Sequence, residues 1–187
     1  RTAETGYEPM DLDGDGDLDM AKIQWNSQSS TNEVHWMENT GGATFSAPVF
    51  YGSLSPIWNL SQSHAMADMD GDGDVDAVAL DALNDRGVRA ENVGGNFAPY
   101  VAVGWTGYIP MALIVADYDS DGDVDVLWRS DVSPHFDTDV FGVLKNSGVG
   151  LQFTSAGSVQ NPYGDNFYGL SFADVDGDGD LDVVDFP

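Results

Sequence analysis

Residues 174–182 read Asp-Val-Asp-Gly-Asp-Gly-Asp-Leu-Asp, with an aspartate at every odd position of nine. The same pattern stands at residues 11–19 and 68–76 and, with Ser120 in place of the first glycine, at 117–125. As an ordinary strand this stretch would place like charges about 6–7 Å apart on one face, where they repel and cannot be buried unpaired. A positive partner is therefore required. Only carboxylate and carbonyl oxygens are on offer, and no His or Cys lies inside the four loops, so the partner expected is a hard divalent cation, with Ca²⁺ the best candidate. Carboxylates at positions 1, 3 and 5 converge if the chain turns sharply after the fifth residue. Glycine at position 6 permits that turn, and Gly16, Gly73, Gly122 and Gly179 occupy it.

The expected side-chain ligands are Asp11, Asp13, Asp15 and Asp19 in the first loop and Asp68, Asp70, Asp72 and Asp76 in the second. They are Asp117, Asp119, Asp121 and Asp125 in the third, and Asp174, Asp176, Asp178 and Asp182 in the fourth. Asp17, Asp74, Asp123 and Asp180, at position 7, are expected to lend a backbone carbonyl. An EF-hand opens similarly but closes with Glu at position 12 between two helices. Position 12 here is Lys22, Ala79, Trp128 and Asp185, and the segments after the loops, such as 75–80 and 124–128, read as strands. Recurrence between apolar runs also speaks against a merely solvated acidic tail.

These loops, each set between an apolar strand such as 170–173 and a following one, resemble the FG-GAP or VCBS-type repeat of integrin α-chain heads and bacterial surface proteins. The resemblance implies an all-β fold in which each repeat is one four-stranded blade of a β-propeller, with calcium in the hairpin between its first two strands. About four ions follow. Function is less constrained, since the family includes adhesins, lectin-like domains and modules appended to polysaccharide-degrading enzymes.

The loops start 57, 49 and 57 residues apart. A second landmark keeps the same phase: Asn39-Thr40-Gly41-Gly42, Asn92-Val93-Gly94-Gly95 and Asn146-Ser147-Gly148. Asn and Gly tolerate positive φ, so this is hairpin chemistry, placed between third and fourth strands. The sequence thus divides into one propeller segment over 1–187, with blades at about 1–55, 62–104, 109–160 and 166–187. In blade one the third strand is expected near 33–38 and the fourth near 45–51; in blade two the fourth is expected near 97–103. Three complete blades plus half of a fourth do not readily close a ring of the usual ~4–8. The chain also opens at Arg1 without Met or leader, so the expectation is a piece of a longer propeller, or a partial blade completed by another copy, a route to filaments.

Of 32 acidic residues, 20 lie in the four loops, against six Lys and Arg and a net charge of −26. Four bound Ca²⁺ would leave roughly −18, which still repels nucleic acid and anionic membrane. There is no cysteine, and no apolar run approaches the ~18 residues of a membrane helix. An extracellular or cell-surface location follows as an expectation.

Aromatic residues cluster between blades: Trp58, Trp105, Tyr108, Tyr163 and Tyr168. They form either a platform on which a glycan stacks or the packing between blades. Asn59-Leu60-Ser61 matches an N-glycosylation acceptor. His35, His64 and His135 show no ligand spacing, and no G-x-S-x-G elbow or phosphate loop is present, so catalysis is not expected. Three roles remain: a binding module for glycan or protein, a self-associating structural subunit, and an accessory domain of a polysaccharide-cleaving enzyme.

Overall fold

The computed structural model describes residues 7–42, 44–54, 60–81, 84–105, 109–131, 139–148, 153–160, 169–179 and 181–186. The described residues contain strands and turns but no helix. Strand β1 (Glu8–Met10) leads through the first aspartate loop into β2 (Asp19–Asn26), followed by β3 (Thr31–Met37) and β4 (Val49–Leu54). These four pair in sequence order as one antiparallel sheet. The second sheet uses β5 (Leu60–Ala67), β6 (Asp76–Asp81) and β7 (Arg86–Ala90), then a small hairpin of β8 (Asn92–Val93) and β9 (Asn96–Phe97), and finally β10 (Val101–Trp105). Its order is β10-β7-β6-β5, again an up-and-down meander. The third comprises β11 (Ile109–Ala116), β12 (Asp125–Asp131), β13 (Asp139–Asn146) and β14 (Phe153–Gln160), and β15 (Gly169–Ala173) pairs with β16 (Asp182–Phe186) as a hairpin. Among the described residues, then, there are three four-stranded blades and two strands of a fourth, without a closed ring.

Each aspartate loop joins the first strand of a blade to the second, as expected. The fourth strands start later than the sequence suggests. In blade one the chain after Asn39 closes a bridge to Phe45 and only then enters β4 at Val49. In blade two the Asn-Gly-Gly turn closes its own hairpin, pairing Asn92 with Phe97 and Val93 with Asn96, so β10 begins at Val101. The turn residues satisfy their hydrogen bonds locally, and the strand toward the next blade forms afterwards. In blade three the equivalent pair, Asn146 and Phe153, opens the β13–β14 ladder directly.

The blades stack on their faces, and the apolar residues divide by which neighbour they meet. Leu12, Ala21, Ile23, Val34 and Leu54 of blade one pack with Met66, Val75, Ala77 and Ala90 of blade two. Met69, Val78, Leu80 and Val103 of blade two pack with Leu113, Val126, Trp128, Val140 and Leu144 of blade three. Every residue of β6 is buried, because blade two has a blade on either side and alternate side chains feed different cores. An aromatic chain also joins blades one and two. Trp36 meets Tyr51 edge-on, and Tyr51 meets Phe97 in the same way, with centroids 6.1 Å apart in both pairs.

The aromatic residues proposed as a glycan platform are not placed by this structure. Trp58, Tyr108, Tyr163 and Tyr168, with the acceptor Asn59 and the histidine His135, lie outside the described residues, as does the side chain of Trp105.

Candidate metal centre

The nine-residue loop holds its shape because its own carboxylates cap its own amides. Asp11 at position 1 accepts from the backbone N–H of Gly14 at 2.8 Å and of Gly16 at 3.0 Å. Asp68 receives Gly71 and Gly73 at 2.8 and 3.0 Å, and Asp174 receives Gly177 and Gly179 at 2.6 and 3.1 Å. In the third loop Asp117 accepts from Asp121 and Gly122 at 3.1 and 3.0 Å. Position 5 repeats the device toward position 7, as when Asp72 Oδ1 accepts from the Asp74 amide at 2.8 Å. The turn itself needs glycine at position 6, where φ is between 92° and 97° in all four loops.

Position 9 performs a second task that the spacing alone does not reveal. Asp76 Oδ2 accepts from the Met69 amide at 3.3 Å and Oδ1 from the Asn92 amide at 2.7 Å, with its side chain fully buried. Asp19 links Leu12 to Asn39 in the same way, and Asp125 links Tyr118 to Asn146. The aspartate thus fastens the aspartate loop to the Asn-Gly turn between the third and fourth strands. The asparagine answers with its own amide: Asn92 Nδ2 donates to Val75 O at 3.0 Å, and Asn146 Nδ2 to Val124 O at 3.2 Å. It also reaches the neighbouring blade, Asn92 bonding Tyr51 Oη at 3.1 Å and Asn146 bonding Met69 O at 2.7 Å. Position 7, assigned only a carbonyl by the sequence, also uses its side chain in blade two, where Asp74 Oδ2 accepts from the Gly94 amide at 2.8 Å. Asp180 lies outside the described residues.

Each loop brings three carboxylates together with ligand atoms within 4.8 Å of one another: Asp11, Asp13, Asp15; Asp68, Asp70, Asp72; Asp117, Asp119, Asp125; and Asp174, Asp176, Asp182. Positions 1, 3 and 5 therefore converge in loops one and two, and positions 1, 3 and 9 in loops three and four. The electrostatics show what these groups lack. Burial pushes the Asp70 carboxyl above its ordinary range, with Asp72 adding to the shift, and Asp13 is raised by desolvation and by Asp15, Asp19 and Asp11. Asp76 is pushed up to about 6, chiefly by burial, despite the hydrogen bond from Asn92. Carboxylates so crowded resist being charged together unless a cation joins them. Asp70 Oδ1 is in addition a buried oxygen with no hydrogen-bond donor, and so is Asp119 Oδ1 in loop three. An orphaned carboxylate oxygen facing two more carboxylates fits a hard cation, whose coordination would satisfy it.

Loop three differs. Lys145 Nζ hydrogen-bonds Asp119 and lies 3.0 Å from Asp121 Oδ2. That ammonium holds the Asp121 carboxyl below its usual range, and the two aspartates in turn raise the lysine. The sequence reading passed over Lys145 because it stands 20 residues beyond the loop's last aspartate. Its phase was nevertheless legible, since Lys145 precedes Asn146 as Glu38 precedes Asn39 and Glu91 precedes Asn92. In blade two Arg89 lies 3.6 Å from Asp76 and 3.8 Å from Glu91, and its charge lowers the Asp70 carboxyl without an ion pair to it.

A family model described as FG-GAP-like repeat matches residues 11–79 and again 68–128, together more than half of the chain. The chain belongs to the FG-GAP-like repeat family. Both FG-GAP matches begin on the first aspartate of a loop and run beyond the first aspartate of the next. No curated protein matches. Among solved structures, the FG-GAP blades resemble part of a Photorhabdus luminescens Tc holotoxin pore, with a TM-score of 0.58 and 20% identity over 95% of this chain. That alignment covers 8% of the toxin chain, and at such identity it speaks to the fold alone. Among the described residues no helix is long and apolar enough to cross a membrane.

Proposed function

We propose that this FG-GAP segment is a calcium-stabilised structural and adhesive module of an extracellular or cell-surface protein. Its blades are made rigid by Ca²⁺, and their connecting loops serve as the face offered to a glycan or protein ligand. The observation that carries the reading is the convergence of three carboxylates in every loop, with a buried Asp70 oxygen that no donor reaches. Asp11, Asp13 and Asp15, Asp68, Asp70 and Asp72, and Asp174, Asp176 and Asp182 would hold the ions. Calcium suits them better than magnesium because it accepts six to eight oxygens in irregular geometry, including backbone carbonyls. The ion supplies charge neutralisation rather than chemistry. No catalytic role is assigned to the segment.

The experiment is thermal unfolding in chelator. Removing calcium leaves the loop carboxylates to repel one another, so the melting temperature falls by about 10 °C or more, and millimolar Ca²⁺ but not equimolar Mg²⁺ restores it. An unchanged melting curve in EGTA would sink the proposal. Adhesion is tested separately on a glycan array with Trp58→Ala and Trp105→Ala; undiminished binding would remove the aromatic platform.

A further inference from the structure

Loop three has its cation already. Lys145 reaches from β13 to hydrogen-bond Asp119 and to lie 3.0 Å from Asp121, placing one ammonium across positions 3 and 5 of the nine-residue loop. The equivalent carboxylates in loop two, Asp70 and Asp72, form with Asp68 a set that no lysine or arginine bridges among the described residues. The contrast comes from one strand position. Each of the three four-stranded blades has a residue immediately before the asparagine whose amide is held by position 9, and it is Glu38, Glu91 or Lys145. Glu91 adds a negative charge beside loop two that raises the carboxyl of Asp70, and Arg89 offsets part of it. Lys145 brings a positive charge to the same strand position in loop three, the reverse of Glu91, whereas the cation of blade two, Arg89, lies against Asp76 at position 9.

We propose that Lys145 is a built-in cation that replaces the divalent ion of loop three, so that this chain takes calcium in loops one, two and four and keeps the third closed without it. The inference rests on the calcium reading given above. An incoming divalent ion must either expel the ammonium from both carboxylates or sit beside it, and like-charge repulsion at such range lowers affinity by at least about a hundredfold. Loop three has a further tie that needs no ion. Ser120 stands at position 4, where the other loops have glycine, and takes a positive φ of 58° while its hydroxyl donates to Gly179 O of loop four at 3.0 Å.

Hydrogen exchange read by mass spectrometry, with and without EGTA, tests this on the whole chain loop by loop. The expected result is that peptides covering 11–19, 68–76 and 174–182 exchange at least about tenfold faster in chelator, while 117–125 changes less than about twofold. Calorimetric titration should then find three tight sites. Lys145→Met, which keeps the stem of a partly exposed side chain, should make loop three chelator-sensitive and add a fourth site; Lys145→Glu, which imitates Glu91, should do so more strongly. Four equal sites in the unaltered chain, or loop three losing protection alongside the others, would overturn the role of Lys145 while leaving the calcium reading intact. Absence of any calcium effect in any loop would instead overturn the calcium reading, and this inference with it.

Discussion

His64 lies on β5 with 6% of its surface exposed, and its Nε2 has no hydrogen-bond partner among the described residues. Burial drives its pKa from 6.5 down to about 4, because an imidazolium there would lose its hydration without gaining an acceptor. The consequence for stability has a definite sign. Between these two values the unfolded chain binds a proton that the folded chain does not, so stability present above pH 6.5 is lost as the pH falls toward 4. At pH 5 the loss is about 2 kcal/mol relative to pH 7. Urea unfolding across this range, compared with His64→Gln, isolates the term: the variant should show a flatter pH dependence by about that amount, whatever its fixed cost at pH 7. Equal slopes for the two proteins would show that His64 is protonated alike in both states.

At the level of elements, close approach between strands is as specific as the loops. Gly142 on β13 faces the ring of Trp128 on β12, its direct cross-strand partner, and any Cβ placed there would collide with the indole. Trp128 is itself buried in the core between blades two and three. Gly142→Ala should therefore destabilise the protein by about 2 kcal/mol or more, and Trp128→Leu in the same chain should recover part of the loss. A double variant no more stable than the sum of the two single changes would deny the contact. The elements were legible in the sequence wherever chemistry forces them: the aspartate spacing placed the first hairpin of every blade, and the apolar runs after the loops marked β6 and β12. The fourth strands were less legible, since the Asn-Gly signal marks a turn but not whether the turn closes a separate hairpin, as Asn92–Phe97 does. The bracing role of Asp19, Asp76 and Asp125 was hidden for a related reason: a carboxylate that can ligate a metal and one that caps two amides have the same spacing. The strand position of Lys145 was legible from its place before Asn146, but its reach to Asp119 and Asp121 was not, because 20 or more residues separate them in sequence.

At the scale of the whole molecule, the question is whether blades open singly or together. Repeat arrays divide their stability between units and the interfaces that join them, and here the interfaces are the cores. Blade two contributes to both: Ala77 and Ala90 face blade one, whereas Val78, Leu80 and Val103 face blade three. The hydrogen bonds from Asn92 to Tyr51 and from Asn146 to Met69 cross the same two junctions. No blade can therefore open fully without exposing a face of its neighbour, and the three should behave as one cooperative unit. Leu80→Ala tests it, because Leu80 is wholly buried and belongs to the second core and not to the first. The substitution should cost about 3 kcal/mol. Native-state hydrogen exchange should then report that loss in β2 and β3 of blade one as fully as in β12 and β13 of blade three. If the amides of blade one kept their original protection while those of blade three lost theirs, the junction between the first two blades would be a hinge at which stability is divided rather than a seam through which it is shared.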